Sequence, residues 1–160
     1  MSLLGIDVGT SGCKAAIYSA EGQLLASAYE EYDIQRSRPG WAELDTPQVW
    51  GQIQGTIRAA TRDAEQGSPN DPIQALCISS LGEAFVPVTS GRKILGPSLL
   101  NFDERGAEFL PGLREDIPDD RLFRINGNTL GNHYSLTKLL WLKRYQPDLY
   151  QQVIVVPWSL

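Results

Sequence analysis

Asp7, Gly9, Thr10, Ser11, Gly12 and Lys14 stand close together in the run GIDVGTSGCK, between two apolar segments. An acid beside a Gly/Thr/Ser/Gly turn has a definite chemical use. Glycines let the backbone approach an anion closely, the turn's N–H groups and the Thr10 and Ser11 hydroxyls can donate to phosphate oxygens, and Asp7 can hold a hydrated Mg2+. Lys14 would add positive charge. The same pattern also suits a plain hairpin carrying a surface Asp, since short motifs of this kind recur by chance. It is not a Walker sequence, because Cys13 separates Gly12 from Lys14 and the β-like KAAIY follows. Nor is it the dinucleotide fingerprint, which Gly5-Ile6-Asp7 breaks at the second glycine.

The elements that must hold this turn follow from the pattern around it. Residues 3–8 and 14–18 read as strands on either side of it, and Ser19-Ala20-Glu21-Gly22 turns the chain into a third strand within QLLASAYEEY, giving a three-strand antiparallel meander. SRPGWAELDTP then leads into a helix with Asp45 or Thr46 as its cap and Pro47 in its first turn. Trp50, Ile53, Ile57, Ala60 and Ala64 recur at helical spacing, so one face should pack on the sheet until the helix ends near Gly67. Residues 73–79 and 84–89 read as extended. DERGAEFLPGLRED and DDRLFRIN predict short helices interrupted at Pro111, Gly112 and Pro118, SLTKLLWLKRYQ an amphipathic helix stopped by Pro147, and VIVVP a last buried strand. A meander followed by helices alternating with strands is an α/β domain with a mixed sheet.

The chain's 160 residues suffice for one domain with a core, and the net charge of −5 without a Lys/Arg cluster argues against nucleic acid or an anionic membrane surface as partner. Cys13 and Cys77 lack metal-site spacing and are expected to be buried free thiols. His133 is the single histidine, without the companions of a triad or a metal site, so it should lie on a loop or at a pocket edge. Trp41 and Trp50 read as core. No apolar run approaches a membrane span, and an acid at Asp7 precedes any signal core, so a cytoplasmic protein is expected. Because only Pro157-Trp158-Ser159-Leu160 follow the last strand, with nothing to cover it, a truncated chain is expected.

A family resemblance joins these pieces. GIDVGTSGCKAAIYSAEGQLL resembles the phosphate-1 segment of the actin-like, ribonuclease-H-like ATPases and sugar kinases. SRPGWAELDTPQVW is similar to the Pro-Gly-Trp-x-Glu segment of the FGGY carbohydrate kinases, LGPSLLNFDERGAEF to their Trp-x-Asp-x-Arg stretch, and SLTKLLWLKRYQPDLYQQVIVVP to their Lys-Leu-Leu-Trp-Leu-Lys helix and following strand. The segments occur in the family's order along nearly the whole chain.

The resemblance implies a ribonuclease-H-like fold, the first of two actin-like domains that bind ATP and a sugar or polyol in the cleft between them. It implies that Asp7 positions Mg2+, that Gly9, Thr10 and Ser11 face the transferred phosphoryl group, and that Lys14 takes the place of a basic residue. Glu83 falls where the glycerol-kinase branch binds substrate, and SSLGEA lacks the Gln-Met-His of xylulokinases. Asn101 replaces the family's Trp, whereas Asp103 and Arg105 match; Asp103 is read as either a sugar contact or a helix N-cap. The catalytic Asp and most adenine contacts belong to the missing C-terminal domain, so this chain alone is expected to be nearly inactive, and its exposed surface could make it self-associate. A chaperone-type or non-catalytic actin-like module, or an α/β domain without a nucleotide role, are the competing readings.

Overall fold

The structure, a computed structural model, describes residues 1–153. In chain order it contains β1 (Ser2–Val8), β2 (Gly12–Ser19), β3 (Leu24–Glu31), β4 (Glu43–Leu44), α1 (Thr46–Gly67), β5 (Ile73–Ser80) and β6 (Ser98–Leu99). A 3-10 turn (Ala107–Phe109) then precedes α2 (Leu110–Asp116), α3 (Asp119–Asn126), α4 (Ser135–Tyr145) and α5 (Pro147–Tyr150). The chain divides into two compact units, one of Met1–Ile34 with Pro47–Leu81, the other of Gln35–Thr46 with the residues from Gly82 on.

The first unit is a four-stranded mixed sheet of order β3-β2-β1-β5, in which β1–β3 form the expected antiparallel meander and β5 pairs parallel with β1. Register decides the core. Leu4, Ile6 and Val8 oppose Ile17, Ala15 and Cys13, and all six are buried on one face. Side chains alternate across a strand, so this face is apolar while Asp7 and Lys14, also paired, share the other. α1 covers the apolar face with Ile53, Thr56, Ala60 and Ala64. The Thr56 hydroxyl donates to Gln52 O (2.9 Å), which leaves its oxygen to accept from the Cys13 thiol at 3.2 Å. Each buried Leu or Ile contributes about 1.5–3 kcal/mol.

Two expectations fail in this unit. Trp50 is 56% exposed rather than core, because it stands near the start of α1, ahead of the stretch that meets β2. Periodicity assigns a helix face without saying how much of it is covered. Cys77 is exposed beside Leu76 and Ile78, which are 62% and 58% exposed, since among the described residues β5 has a strand neighbour on one side only.

In the second unit Phe85, Leu99 and Leu142 form a core extended by Leu139, Trp141, Leu149 and Tyr150. The expected strand at 84–89 is reduced to single bridges, Phe85 to Leu99 and Val88 to Ile94, because Pro87 cannot donate to a ladder. β4 and β6, two residues each, pair antiparallel and are too short for any periodicity to announce. Pro111 opens α2 rather than interrupting it, Pro118 caps α3, and Pro147 begins α5 as well as ending α4, all of which suit a residue whose missing N–H is harmless in a first turn. Gly106, at φ 84°, approaches α4 so closely that a Cβ would meet Thr137 O at 2.1 Å. The strand expected at 153–157 lies, from Ile154 on, outside the described residues.

Candidate functional site

The turn between β1 and β2 is closed by Gly9 N–H donating to Gly12 O at 2.9 Å. Gly12 must be glycine here, because a Cβ would lie 2.8 Å from Glu30 O and against the Tyr29 ring. The backbone N–H groups and hydroxyls of Thr10 and Ser11 donate to no protein acceptor among the described residues. Asp7, exposed on the face opposite α1, sits one residue before the end of β1 and directly across from Lys14. Free donors, an uncommitted carboxylate and a cation within one turn and its flanking pairs fit a phosphate group with a hydrated divalent metal. Sequence reasoning missed Tyr32, whose hydroxyl and N–H both bind this turn. Only the register of β3 against β2 brings it there.

The other expected site residues belong to the second unit. An open cavity of about 280 Å3 is lined by Asn101, Phe102, Asp103, Glu104, Asn132 and His133. Asn101 Oδ1 and Asn132 Oδ1 are buried and accept no hydrogen bond among the described residues. His133 is indeed a pocket-edge residue, its ring stacked at a tilt on Tyr134 with centroids 4.3 Å apart. Glu83 is exposed, is not among the lining residues, and holds a left-handed backbone (φ 62°) while its carbonyl accepts from Ser135 Oγ at 3.3 Å. Asn132 went unnoticed in the sequence, since an Asn in GNHY carries no pattern of its own.

Asp103 corrects both of its expected roles. Its Oδ1 accepts from Arg105 N–H (3.0 Å) and Arg105 Nε (2.9 Å), and its Oδ2 from Ala42 N–H (2.7 Å) and Arg105 Nη2 (2.7 Å). A carboxylate has about four acceptor positions, so none remains for a sugar hydroxyl. Nor is it a cap, because the 3-10 turn starts from Gly106 without a side-chain bond. Burial alone would raise the Asp103 carboxyl, but these hydrogen bonds hold it below the usual carboxylate range. Arg105 also bonds Glu43 Oε1 through Nη1 at 2.7 Å and lies over Trp41, 3.9 Å from the ring centroid. Trp41 meets Trp141 edge-on at 5.6 Å, so it packs as expected.

Lys138, 1% exposed, donates through Nζ to Asn132 O and reaches Asn101 O at 3.5 Å. It thereby ties together the two stretches that carry the orphaned amide oxygens. Burial pushes its ammonium down to about 8 from 10.5; Asp103 and Glu83 oppose the shift and Arg105 reinforces it. Between those two values the unfolded chain binds more protons than the folded one, so stability should rise with pH across the window, the cost of the buried charge being present in full below it. Urea titrations of the wild type against Lys138→Met should show the wild type gaining on the variant by about 3 kcal/mol from the bottom to the top of that window. A pH-independent difference would remove the buried charge from the account.

Residues 2–158 match the model of the FGGY family of carbohydrate kinases, N-terminal domain. The xylulose kinase of Escherichia coli K12 is 31% identical over 150 residues, covering 94% of this chain and 30% of the relative. A glycerol kinase of Ralstonia nicotianae is 31% identical over 142 residues, covering 88% of this chain and 28% of its own length. The chain therefore spans about 30% of the length of the curated relatives it matches. Among solved structures, a xyloylose kinase from Brucella ovis superposes with a TM-score of 0.86 at 26% identity over 98% of this chain and 31% of that one. The xylulose kinase of Rhodospirillum rubrum superposes with a TM-score of 0.90 at 22% identity over 98% of this chain and 32% of that one, a likeness of fold. The mixed sheet, its meander and its flanking helices are those of the ribonuclease-H-like, actin-like fold. With its motifs in order and its fold superposed along nearly its full length, the chain belongs to the FGGY family of carbohydrate kinases and corresponds to their N-terminal domain.

Proposed function

We propose that this chain is the N-terminal domain of a cytoplasmic, ATP- and Mg2+-dependent kinase that phosphorylates a hydroxyl of a sugar or polyol, and that a further domain completes it. The observation that supports the substrate class is the pair of buried, unpartnered amide oxygens, Asn101 Oδ1 and Asn132 Oδ1, carried by two residues that line one cavity. A buried acceptor without a donor costs about 1–3 kcal/mol, and hydroxyl protons of a small polyol would satisfy two at once. ATP supplies the phosphoryl group, and Mg2+ offsets the charge on its oxygens. In the first unit, Asp7 would hold the hydrated metal, Gly9 would let the backbone approach, Thr10 and Ser11 would donate to phosphate oxygens, and Lys14 would add charge. Such a turn supplies alignment and charge neutralisation, which phosphoryl transfer chiefly requires. In the second unit, Asn101 and Asn132 would accept from the substrate and Glu83 would accept from further hydroxyls, while Asp103 holds the loop that carries Asn101.

The test is phosphorylation of a panel of ketopentoses, hexoses and polyols by the full-length protein. Transfer from ATP to one class of substrate is expected; a folded protein that phosphorylates none would overturn the reading. Glu83 offers a sharper check, because its left-handed backbone is held without glycine. Such a residue costs about 1–2 kcal/mol, while glycine in its place costs the folded state about 0.5–1 kcal/mol in entropy. Glu83→Gly should therefore leave stability equal or slightly higher while raising the sugar KM by about 10- to 100-fold, the worth of a charged hydrogen bond. An unchanged KM would take Glu83 out of the substrate site.

A further inference from the structure

We propose that Tyr32 is a positioning residue for phosphoryl transfer: it fixes the shape of the Gly9–Gly12 turn from behind, so that the Thr10 N–H points outward. The proposal rests on reading that turn as the phosphate site.

Three contacts carry it. The Tyr32 hydroxyl donates to Gly9 O at 2.5 Å and shares its proton with Gly12 O at 3.0 Å, while the Tyr32 N–H donates to Ser11 O at 3.1 Å. Every carbonyl of the turn except that of Thr10 is thus bound by one residue from just beyond β3. Gly12 O also accepts from Gly9 N–H, but no other group among the described residues reaches Gly9 O. Tyr32 is 6% exposed, so its ring is anchored. Burial, and the nearby Cys13, Asp7 and Tyr29, push the phenol up to about 12, which keeps it a donor. The C=O and N–H of one trans peptide unit point opposite ways, so holding Gly9 O inward turns the Thr10 N–H outward, free to face an anion. A residue that contacts the turn only through its carbonyls never touches the nucleotide; it sets the geometry that does.

Tyr32→Phe in the full-length protein removes the hydroxyl and keeps the buried ring. Without nucleotide, amide hydrogen exchange at Gly9 and at residue 32 should quicken by about tenfold, the worth of one lost hydrogen bond, while Ile6 and Ile17 in the strands keep their rates. With nucleotide, kcat/KM for ATP should fall by about tenfold and the sugar KM should not move. Unchanged exchange at Gly9 would overturn the proposal, as would faster exchange with unaltered ATP kinetics. Asp7→Ala, assayed alongside, separates the two readings. If Asp7→Ala abolishes transfer and Tyr32→Phe does nothing, only the role of Tyr32 fails; if neither has an effect, the turn is not the phosphate site and the inference falls with it.

Discussion

Asp7→Ala in the full-length protein is expected to lower kcat by about 10²- to 10³-fold, the scale seen when one preorganised charge-stabilising group is removed from an active site. Asp7 is held on an inner strand of the sheet, opposite Lys14 on β2 and Ser79 on β5, so its carboxylate is placed by backbone paired on both sides. It is exposed on the face opposite α1, and no ion pair among the described residues claims it. Nothing in the core needs it, so urea stability should change by less than about 0.5 kcal/mol. The loss should appear as a weaker apparent affinity for Mg2+, with Asp7→Asn intermediate, because an amide oxygen can still bond a metal-bound water but brings no charge. Unchanged turnover at limiting Mg2+ would remove Asp7 from the mechanism.

Arg105→Ala is expected to cost about 3–5 kcal/mol of stability, the range for removing one partner of a buried ion pair. Arg105, Asp103 and Glu43 are 7%, 0% and 7% exposed, and the single guanidinium serves both carboxylates. Without it, Asp103 keeps the Ala42 N–H and one backbone N–H but loses its counter-charge, and Trp41 loses the cation over its face. Lysine should rescue poorly, since an ammonium cannot fork across two carboxylates as a planar guanidinium does. The pH dependence gives an independent check. The lowered carboxyl of Asp103 contributes stability that is present above the ordinary carboxylate value and lost as pH falls through its folded value. That contribution depends on Arg105, so the gap between wild type and variant should narrow below about pH 4. A loss under about 1 kcal/mol, or a gap that does not change with acid, would contradict this account.

The legible parts of the sequence were those with period or punctuation. Alternation around Gly9–Gly12 marked the meander, Pro47 and the spacing from Ile53 to Ala64 marked α1, and the ordered segments marked the family. Misreadings have a common origin in partners distant along the chain. Trp50 keeps the helical period yet stays in solvent, and Cys77 lies in an apolar strand yet is exposed, because burial depends on what another element covers. Pro111 was read as an interruption when it lies in the first turn of α2, and Pro147, which ends α4 as expected, also opens α5, since a proline is equally at home after one element and in the first turn of the next.

The sequence by itself determined the turn, its donors, its acid and its family, because these are contiguous residues whose chemistry and backbone freedom are local. Only the tertiary structure decided which polar groups remain free. It committed all four acceptor positions of Asp103 to Arg105 and Ala42, left Asn101 and Asn132, two residues lining one cavity, with buried amide oxygens that accept no hydrogen bond among the described residues, and set Tyr32 behind the turn. A hydrogen bond satisfied across 61 residues, as between Asp103 and Ala42, cannot be read from either residue alone, and it is this pairing that separates a residue that holds the site from one that meets the substrate.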